Sequence, residues 1–182
     1  MKKTGKARGG TAAKTVALVG IMAASVECAK LALAFLPNIE AVTLLLALYG
    51  YVFGGTGILA AVVFVAIEPL IWGFNTWVIS YLIYWPSVAL VFMLLGRKGI
   101  KNRFLLAGIA VVMTFIFGVL TSLVDVGLLV GYFDNFLYRF GVYYARGVVF
   151  YLLQIASNAV LFTLLFPFLS KKLCLFRDRS LL

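Results

Sequence analysis

The chain contains no histidine, two cysteines and six acidic residues among 182. The lack of histidine removes the commonest metal ligand and the commonest general base. Cys28 lies within an apolar run and Cys174 within the basic C-terminal segment. Their expected separation in depth argues against a disulfide and against a cysteine metal site. The sequence therefore predicts that this chain binds no metal.

Recognisable catalytic motifs are also lacking. The chain has no Gly-x-x-x-x-Gly-Lys-Ser/Thr phosphate loop, no His-Glu-x-x-His and no Gly-x-Ser-x-Gly. It therefore cannot by itself hydrolyse ATP in the P-loop manner, and its polar residues do not have the spacing of a known catalytic constellation. We expect the chain not to be an enzyme and to bind no cofactor of its own.

Charge is scarce and apolar residues dominate. Only 12% of residues are charged, 64% are hydrophobic and the mean hydropathy is +1.10, far above that of a soluble domain. The basic start of the chain resembles a signal peptide, but the apolar run that follows continues to Phe35. Because that run is too long for a cleaved signal, we interpret it as a retained first helix of a polytopic membrane protein.

The net charge of +10 comes from basic residues in three clusters, at positions 1–14, 97–103 and 171–179, which hold 13 of the 16 Lys and Arg residues. Each cluster flanks an apolar run and none forms a nucleic-acid recognition motif, so a cytoplasmic membrane surface is the better interpretation. Basic residues beside membrane spans are retained in the cytoplasm. All three clusters are therefore expected to lie on that side.

Turn signals divide the chain into apolar helical runs at 13–36, 41–53, 57–73, 76–95, 104–131 and 139–169. The second and third runs are short, but fusing them into one span would place the basic clusters on opposite sides of the membrane. The sequence therefore predicts an all-α integral membrane protein with six transmembrane helices and both termini cytoplasmic. We expect one domain over 1–182: a basic N-terminus at 1–14, a six-helix bundle at 15–170 and a basic tail at 171–182.

This topology places most of the remaining charge in the outward half. Five acidic residues lie there (Glu27, Glu40, Glu68, Asp125 and Asp134), together with three basic ones (Lys30, Arg139 and Arg146). An ionised side chain isolated in lipid costs at least about 2.5 kcal/mol, so those within spans must face the bundle interior, pair or touch water. These charged residues either hold the helices together through ion pairs or form a ligand site. The sixth run favours a site, because it carries a polar and aromatic stripe at helical spacing: Tyr143, Arg146, Phe150, Gln154 and Ser157 or Asn158.

The first run carries a stripe of small residues in its cytoplasmic half, formed by Ala13, Ala17, Gly20 and Ala24. Small side chains at this spacing let a second helix approach closely. The stripe packs either within the bundle or against a separate membrane partner.

These features carry a resemblance to a known family. Six helices in fewer than 200 residues, small residues on the first helix, and the segment FLPNIEAVTLLLALYGYVFGGTGILAA at 35–61 together resemble the substrate-binding S components of energy-coupling factor vitamin transporters. The resemblance covers nearly the whole chain in architecture. It departs from the family pattern on helix one, where a strict Ala-x-x-x-Ala occurs only at Ala13 and Ala17.

The resemblance implies a mechanism. A vitamin would be captured from outside, and the loaded protein would dock through Ala13, Ala17, Gly20 and Ala24 onto a transmembrane coupling subunit in a prokaryotic plasma membrane. ATP and magnesium would be bound by two partner ATPases. The expected substrate-binding residues are Asn38, Glu40, Asn75, Trp77, Tyr81, Asp125, Tyr132, Arg139, Tyr143 and Arg146. The first loop is most similar to that of cobalamin-type members, which makes cobalamin the expected vitamin, with riboflavin, pantothenate, thiamine or another small nutrient as alternatives.

Other functions stay open at this point. A self-contained small-solute transporter or channel would move its solute without an ATPase. A membrane enzyme would depend on Glu27, Glu68 or Asp125. An assembly factor would bind partners but no small molecule.

Overall fold

A computed structural model describes residues 5–36, 39–131 and 135–180 of the chain. Within these ranges every regular element is a helix, and there are seven of them. Their bounds are α1 Gly5–Ala32, α2 Val42–Phe53, α3 Gly55–Trp72, α4 Trp77–Arg97, α5 Arg103–Val130, α6 Phe136–Leu164 and α7 Phe166–Ser180.

The prediction of an all-helical membrane protein is confirmed at this level. Among the described residues, five helices are long and apolar enough to cross a membrane: α1, α3, α4, α5 and α6. The sixth predicted run corresponds to α2, an apolar helix of 12 residues that is too short for this class. The last predicted run divides at Leu165, and the basic tail continues as α7.

Local sequence explains where these helices begin and end. Gly54 adopts φ 63° between α2 and α3, a left-handed conformation that glycine tolerates without strain, so the chain reverses there. Asn102 caps α5, because its side-chain oxygen accepts hydrogen bonds from the backbone N–H groups of Phe104 and Leu105. Proline occurs inside α3 and α4, at Pro69 and Pro86.

The core is centred on α2, which packs against α1, α3, α4 and α7. Leu46, Ala47 and Leu48 are completely buried. The closest approach is between α2 and α4, where a Cβ atom on Gly50 would lie 2.0 Å from the carbonyl oxygen of Ala89. Only glycine permits the two backbones to touch in this way.

Two of the basic clusters lie at one end of this bundle. The Tyr51 hydroxyl, near the end of α2, donates a hydrogen bond of 2.9 Å to the carbonyl of Ile100 in the α4–α5 loop. Arg177 of α7 donates one of 2.9 Å to the carbonyl of Val52. A small groove at this end is lined by residues of α1, α2, α3, α4 and α7, including Leu18, Arg97 and Arg177. We call it the basic end.

Helices α5 and α6 form an antiparallel pair that packs mainly on itself. The described buried side chains of α6 are Gln154, Asn158 and Phe162, all in its second half. The first half of α6 contains none of these buried side chains. Only the second half therefore helps to build the bundle interior.

Candidate functional site

A cavity of about 540 Å³ opens at the end of the bundle opposite the basic end. It lies between the last turns of α1 and α3 and the first turns of α2 and α4, and α5 and α6 each add one residue. The residues that line it are Lys30, Leu33, Ala34, Leu36, Ile39, Glu40, Val42, Phe64, Glu68, Trp72, Trp77, Tyr81, Trp85, Phe117 and Gln154. Its volume is within the range of small-molecule sites.

Lys30 is the central charge of the cavity. Its ammonium group pairs with Glu68 of α3. The same nitrogen lies 5.2 Å from the ring centroid of Trp72, 5.8 Å from that of Trp77 and 5.6 Å from that of Tyr81. These separations are within cation–π range, so three aromatic rings and one carboxylate surround the ammonium.

Two carboxyl groups lie deep behind this lysine. Glu68 is fully buried and Glu27, from α1, is 7% exposed. The two carboxyl groups are close enough to interact. Neither oxygen of Glu27, nor Oε1 of Glu68, accepts a hydrogen bond from a donor in the described part of the chain. Buried acceptors without donors are costly. Glu68 lines the cavity, so its bonding can be completed there by a ligand or water, whereas Glu27 does not line it.

Glu40 forms the opposite polar wall and is well supplied with donors. The backbone N–H of Thr43 donates to its Oε2 at 2.9 Å, and the Thr43 hydroxyl donates to its Oε1. Asn158 and Gln154 of α6 donate to the same Oε1 at 3.3 and 3.5 Å. This arrangement caps the start of α2 and joins it to α6.

Aromatic rings form a continuous wall along α4 and α5. Trp77 contacts Tyr81 with ring centroids 4.8 Å apart, Tyr81 contacts Trp85 at 5.4 Å, and Trp85 contacts Phe117 at 5.8 Å. The geometry is edge-to-face or tilted, as expected for rings that pack without a ligand between them. The wall offers a large apolar face against which a flat ligand can stack.

A second polar cluster joins α4, α5 and α6 at the end of the bundle where the cavity opens. Asp125 of α5 accepts hydrogen bonds from the hydroxyl of Thr76, at the start of α4, and from the hydroxyl of Tyr143, on α6, at 2.8 Å. Asn75 accepts one of 2.6 Å from the backbone N–H of Thr76. These residues do not line the cavity, but they fix the α3–α4 turn that carries Trp77.

The residues predicted to bind substrate divide into three groups. Glu40, Trp77 and Tyr81 line the cavity. Five others lie outside its lining: Asn75, Asp125, Arg139, Tyr143 and Arg146. Asn38 and Tyr132 lie outside the described residues.

The polar stripe of the sixth helix explains this division. Its inner members, Gln154 and Asn158, are buried and reach Glu40. Its outer members, Tyr143, Arg146 and Phe150, are exposed. Helical spacing had placed all of them on one face, but only the half of that face next to the bundle meets the cavity.

Several lining residues were absent from the predicted set, among them Lys30, Glu68, Trp72, Phe117 and Gln154. A usable signal existed for the first two, since ionisable residues inside apolar runs mark functional sites in membrane proteins. Trp72 is indistinguishable in sequence from an interface anchor, and Phe117 from ordinary core.

The small-residue stripe of α1 lies on the outside of the bundle. Ala13, Ala17, Gly20 and Ala24 are all exposed, and a Cβ atom on Gly20 would meet nothing within 4 Å. The inward face of α1 is instead formed by residues such as Met22, Ala23 and Val26, which are buried. The stripe therefore does not pack against the described part of this chain.

The arrangement can bind and orient a small molecule by ring stacking, charge and hydrogen bonding. Within the described ranges, no group of three or more His, Cys, Asp or Glu side chains could hold a metal ion. Comparison of the chain with protein-family models, with curated proteins and with solved structures gave no match.

Proposed function

We propose that this chain is the substrate-binding S component of an energy-coupling factor vitamin importer. The observation that carries the proposal is the cavity, which combines an aromatic wall, buried carboxylates and a lysine at the end of the bundle opposite the basic end. Such a pocket suits capture of a small molecule from outside the cell. In this proposal the chain binds the vitamin, and partner ATPases supply the energy.

The proposed topology has six spans with both termini cytoplasmic, in a prokaryotic plasma membrane. It is supported by the grouping of Arg97, Lys101, Lys171 and Arg177 around the C-terminal end of α2. Positive residues at one end of a bundle favour a cytoplasmic position for that end. The cavity then faces outward, and α2 serves as a short sixth span.

The proposed docking surface is the small-residue stripe of α1, formed by Ala13, Ala17, Gly20 and Ala24. Its support is its exposure on the outside of the bundle. Within a membrane, small exposed residues allow a partner helix to pack closely. The partner would be the transmembrane coupling subunit, which carries two ATPases.

The size of the cavity bears on which vitamin is bound. Its volume of about 540 Å³ suits a vitamin with one or two rings. A corrinoid such as cobalamin, the vitamin expected from the first loop, is several times larger than such a molecule. The volume therefore favours a compact vitamin over cobalamin.

Identification of the natural ligand tests the proposal directly. The chain is purified alone in detergent and denatured, and the released small molecules are identified by mass spectrometry and visible absorbance. We expect a stoichiometric vitamin that rebinds tightly when titrated back. A chain that is empty and binds no member of a vitamin panel would overturn the proposal.

The docking surface is tested by Gly20→Leu, with Gly108→Leu as the matched control. Neither glycine has an atom within 4 Å of its Cβ position, and both positions are exposed, so we expect both substitutions to leave the fold of this chain intact. We expect Gly20→Leu to retain vitamin binding and to lose ATP-driven uptake by at least about tenfold, because the added side chain separates the helices. Gly108→Leu should keep both activities. Loss of binding with partner association retained would contradict the docking assignment.

A self-contained transporter is the second candidate. The buried Glu27 and Glu68 and the partly exposed Lys30 favour it, since ionisable groups within spans also mark ion-coupled carriers. Uptake by liposomes that contain this chain alone separates the two. Uptake without an ATPase would support the self-contained transporter.

A further inference from the structure

The charge around the cavity is acidic. Glu40 and Glu68 line it. Among the described residues that line the cavity, Lys30 is the only cation, and its charge is already paired with Glu68. Glu40 has four donors but no cationic partner among the described residues. An anion that entered the cavity would therefore meet uncompensated negative charge, whereas a cation would neutralise it.

Three aromatic residues of the cavity surround an ammonium group, that of Lys30. Trp72, Trp77 and Tyr81 surround the Lys30 ammonium at 5.2, 5.8 and 5.6 Å from their ring centroids. The negative faces of aromatic rings attract cations, and cages of this kind recognise organic ammonium ligands. In the structure, the chain's own lysine occupies the cage.

The two members of the ion pair differ in their freedom to move. The Glu68 side chain is completely buried, whereas that of Lys30 is 25% exposed and borders the open cavity. Lysine has a long flexible stem, so its ammonium can leave the cage for water while Glu68 stays in place. Oε1 of Glu68 still lacks a donor in the described part of the chain, and a ligand N–H could supply one.

We propose that the cavity binds a compact, ring-bearing organic cation with at least one N–H group, and that Lys30 occupies the cation site when no ligand is present. The bound cation displaces the Lys30 ammonium, lies against Trp72, Trp77 and Tyr81, and pairs with Glu68. Its ring stacks on the wall formed by Trp77, Tyr81, Trp85 and Phe117. This inference rests on the proposed function, because it names the chemical class of the captured substrate.

Intrinsic fluorescence provides a direct measurement. The chain has three tryptophans, Trp72, Trp77 and Trp85, and all three line the cavity. The full chain in detergent at pH 7 is titrated with three probes of equal size: benzylammonium, benzyl alcohol and benzoate. We expect benzylammonium to change the tryptophan emission with a Kd at least about tenfold lower than that of benzyl alcohol. Benzoate should bind more weakly than both.

Substitution of Lys30 and of Glu68 tests the proposed role of each member of the ion pair. Lys30→Met removes the internal competitor, so it should tighten benzylammonium binding at least about threefold and leave benzyl alcohol unchanged. Glu68→Gln keeps the shape of the site but removes its charge, so it should abolish the preference for benzylammonium over benzyl alcohol. It also serves as the test if Lys30→Met does not fold. Asp178→Asn, on exposed α7 at the basic end, is the matched control and should bind all three probes as the unmodified chain does.

The outcomes separate this inference from the proposed function. Tighter binding of benzoate than of benzylammonium, equal binding of benzylammonium and benzyl alcohol, or a neutral or anionic vitamin released on denaturation would overturn the cation site and leave the S-component proposal standing. No response to any probe, together with an empty chain that binds no vitamin, would overturn both. Loss of benzylammonium binding in a folded Lys30→Met variant would show that the lysine itself holds the ligand, and would overturn the placeholder role.

Discussion

The contact between α2 and α4 and the first half of α6 are opposite in character, although both come from apolar stretches of sequence. At Gly50 the backbones of α2 and α4 touch, with no space for a single methyl group. In the first half of α6, by contrast, Leu137 and Tyr138 are 80% and 75% exposed and the described buried residues are absent. Both regions lie in apolar runs that predict membrane helices, but an apolar run does not indicate how tightly its helix packs.

This difference in packing indicates which part of the cavity is rigid. The walls contributed by α1 to α4 are held by a close-packed core, and close-packed interiors resist displacement. The first half of α6 depends on α5 and on the Tyr143–Asp125 hydrogen bond for its position. We therefore expect any opening or closing of the cavity to involve movement of the α5–α6 pair and not of the wall that carries Lys30.

The largest effect is expected where the backbones touch. Gly50→Ala would place a Cβ atom 2.0 Å from the Ala89 carbonyl oxygen, and a backbone atom cannot rotate away. We expect a loss of about 3 kcal/mol or more in stability, or failure to fold. Gly108→Ala, at an open helical position, is the control and should be neutral or slightly stabilising. Thermal unfolding and size-exclusion chromatography in detergent measure both. A normally folded Gly50→Ala protein would show that the α2–α4 contact is looser than described.

An intermediate effect is expected at Asn158, where the packed half of α6 meets the cavity wall. Its Nδ2 donates to Glu40 at 3.3 Å and to the Thr114 hydroxyl at 3.0 Å, and the residue is completely buried. Asn158→Ala leaves these acceptors with fewer donors and should cost about 1–3 kcal/mol in unfolding free energy. Ser157→Ala, at the neighbouring half-buried position, should cost less than about 0.5 kcal/mol. Equal losses in the two variants would mean that the Glu40 network does not support α6.

The smallest effect is expected in the exposed half of α6. Tyr143→Phe removes the hydroxyl that donates to Asp125 at 2.8 Å and should cost about 0.5–1 kcal/mol, because the pair is partly open to its surroundings. Tyr138→Phe, at a position 75% exposed, is the control and should have no measurable effect. Hydrogen exchange along α6 gives a second measurement. We expect faster exchange in the first half of α6 in Tyr143→Phe alone; unchanged exchange would show that α5 packing by itself holds this segment.

The sequence was sufficient to predict an all-helical chain, since uninterrupted apolar runs in a membrane protein leave few alternatives. It did not predict the division at Leu165 or the helix α7 in the basic tail. The break at Gly54 and the short second run were also visible. For the cavity, Glu40, Trp77 and Tyr81 were recognised because polar and aromatic residues near the outer ends of spans stand out against aliphatic surroundings. Their ligand role stays a prediction.

The other lining residues of the cavity could not be predicted, because they depend on how the helices pack against one another. Periodicity assigns residues to a face of a helix, but it does not say which neighbour that face meets. Arg139 and Arg146 share a helix with Gln154, yet only the second half of α6 approaches α2 and the cavity. Similarly, the pairing of Lys30 with Glu68 joins residues 38 positions apart and requires the packing of α1 on α3.

Helix α2 is shorter than the hydrocarbon layer of a bilayer, and this affects how deep in the membrane the cavity lies. Its 12 residues span about 18 Å, whereas the hydrocarbon layer is about 30 Å thick. In the six-span arrangement, the floor of the cavity at Val42 then lies about 12 Å below the outer edge of that layer. In this arrangement, an elementary charge that moves between the outside and this depth crosses roughly 40% of the electric field, and a membrane voltage of 100 mV changes its free energy by about 0.9 kcal/mol. Because the proposed cation enters as the Lys30 ammonium leaves for water, the two charge movements oppose each other, and binding should depend less on membrane voltage than the entry of a single charge would.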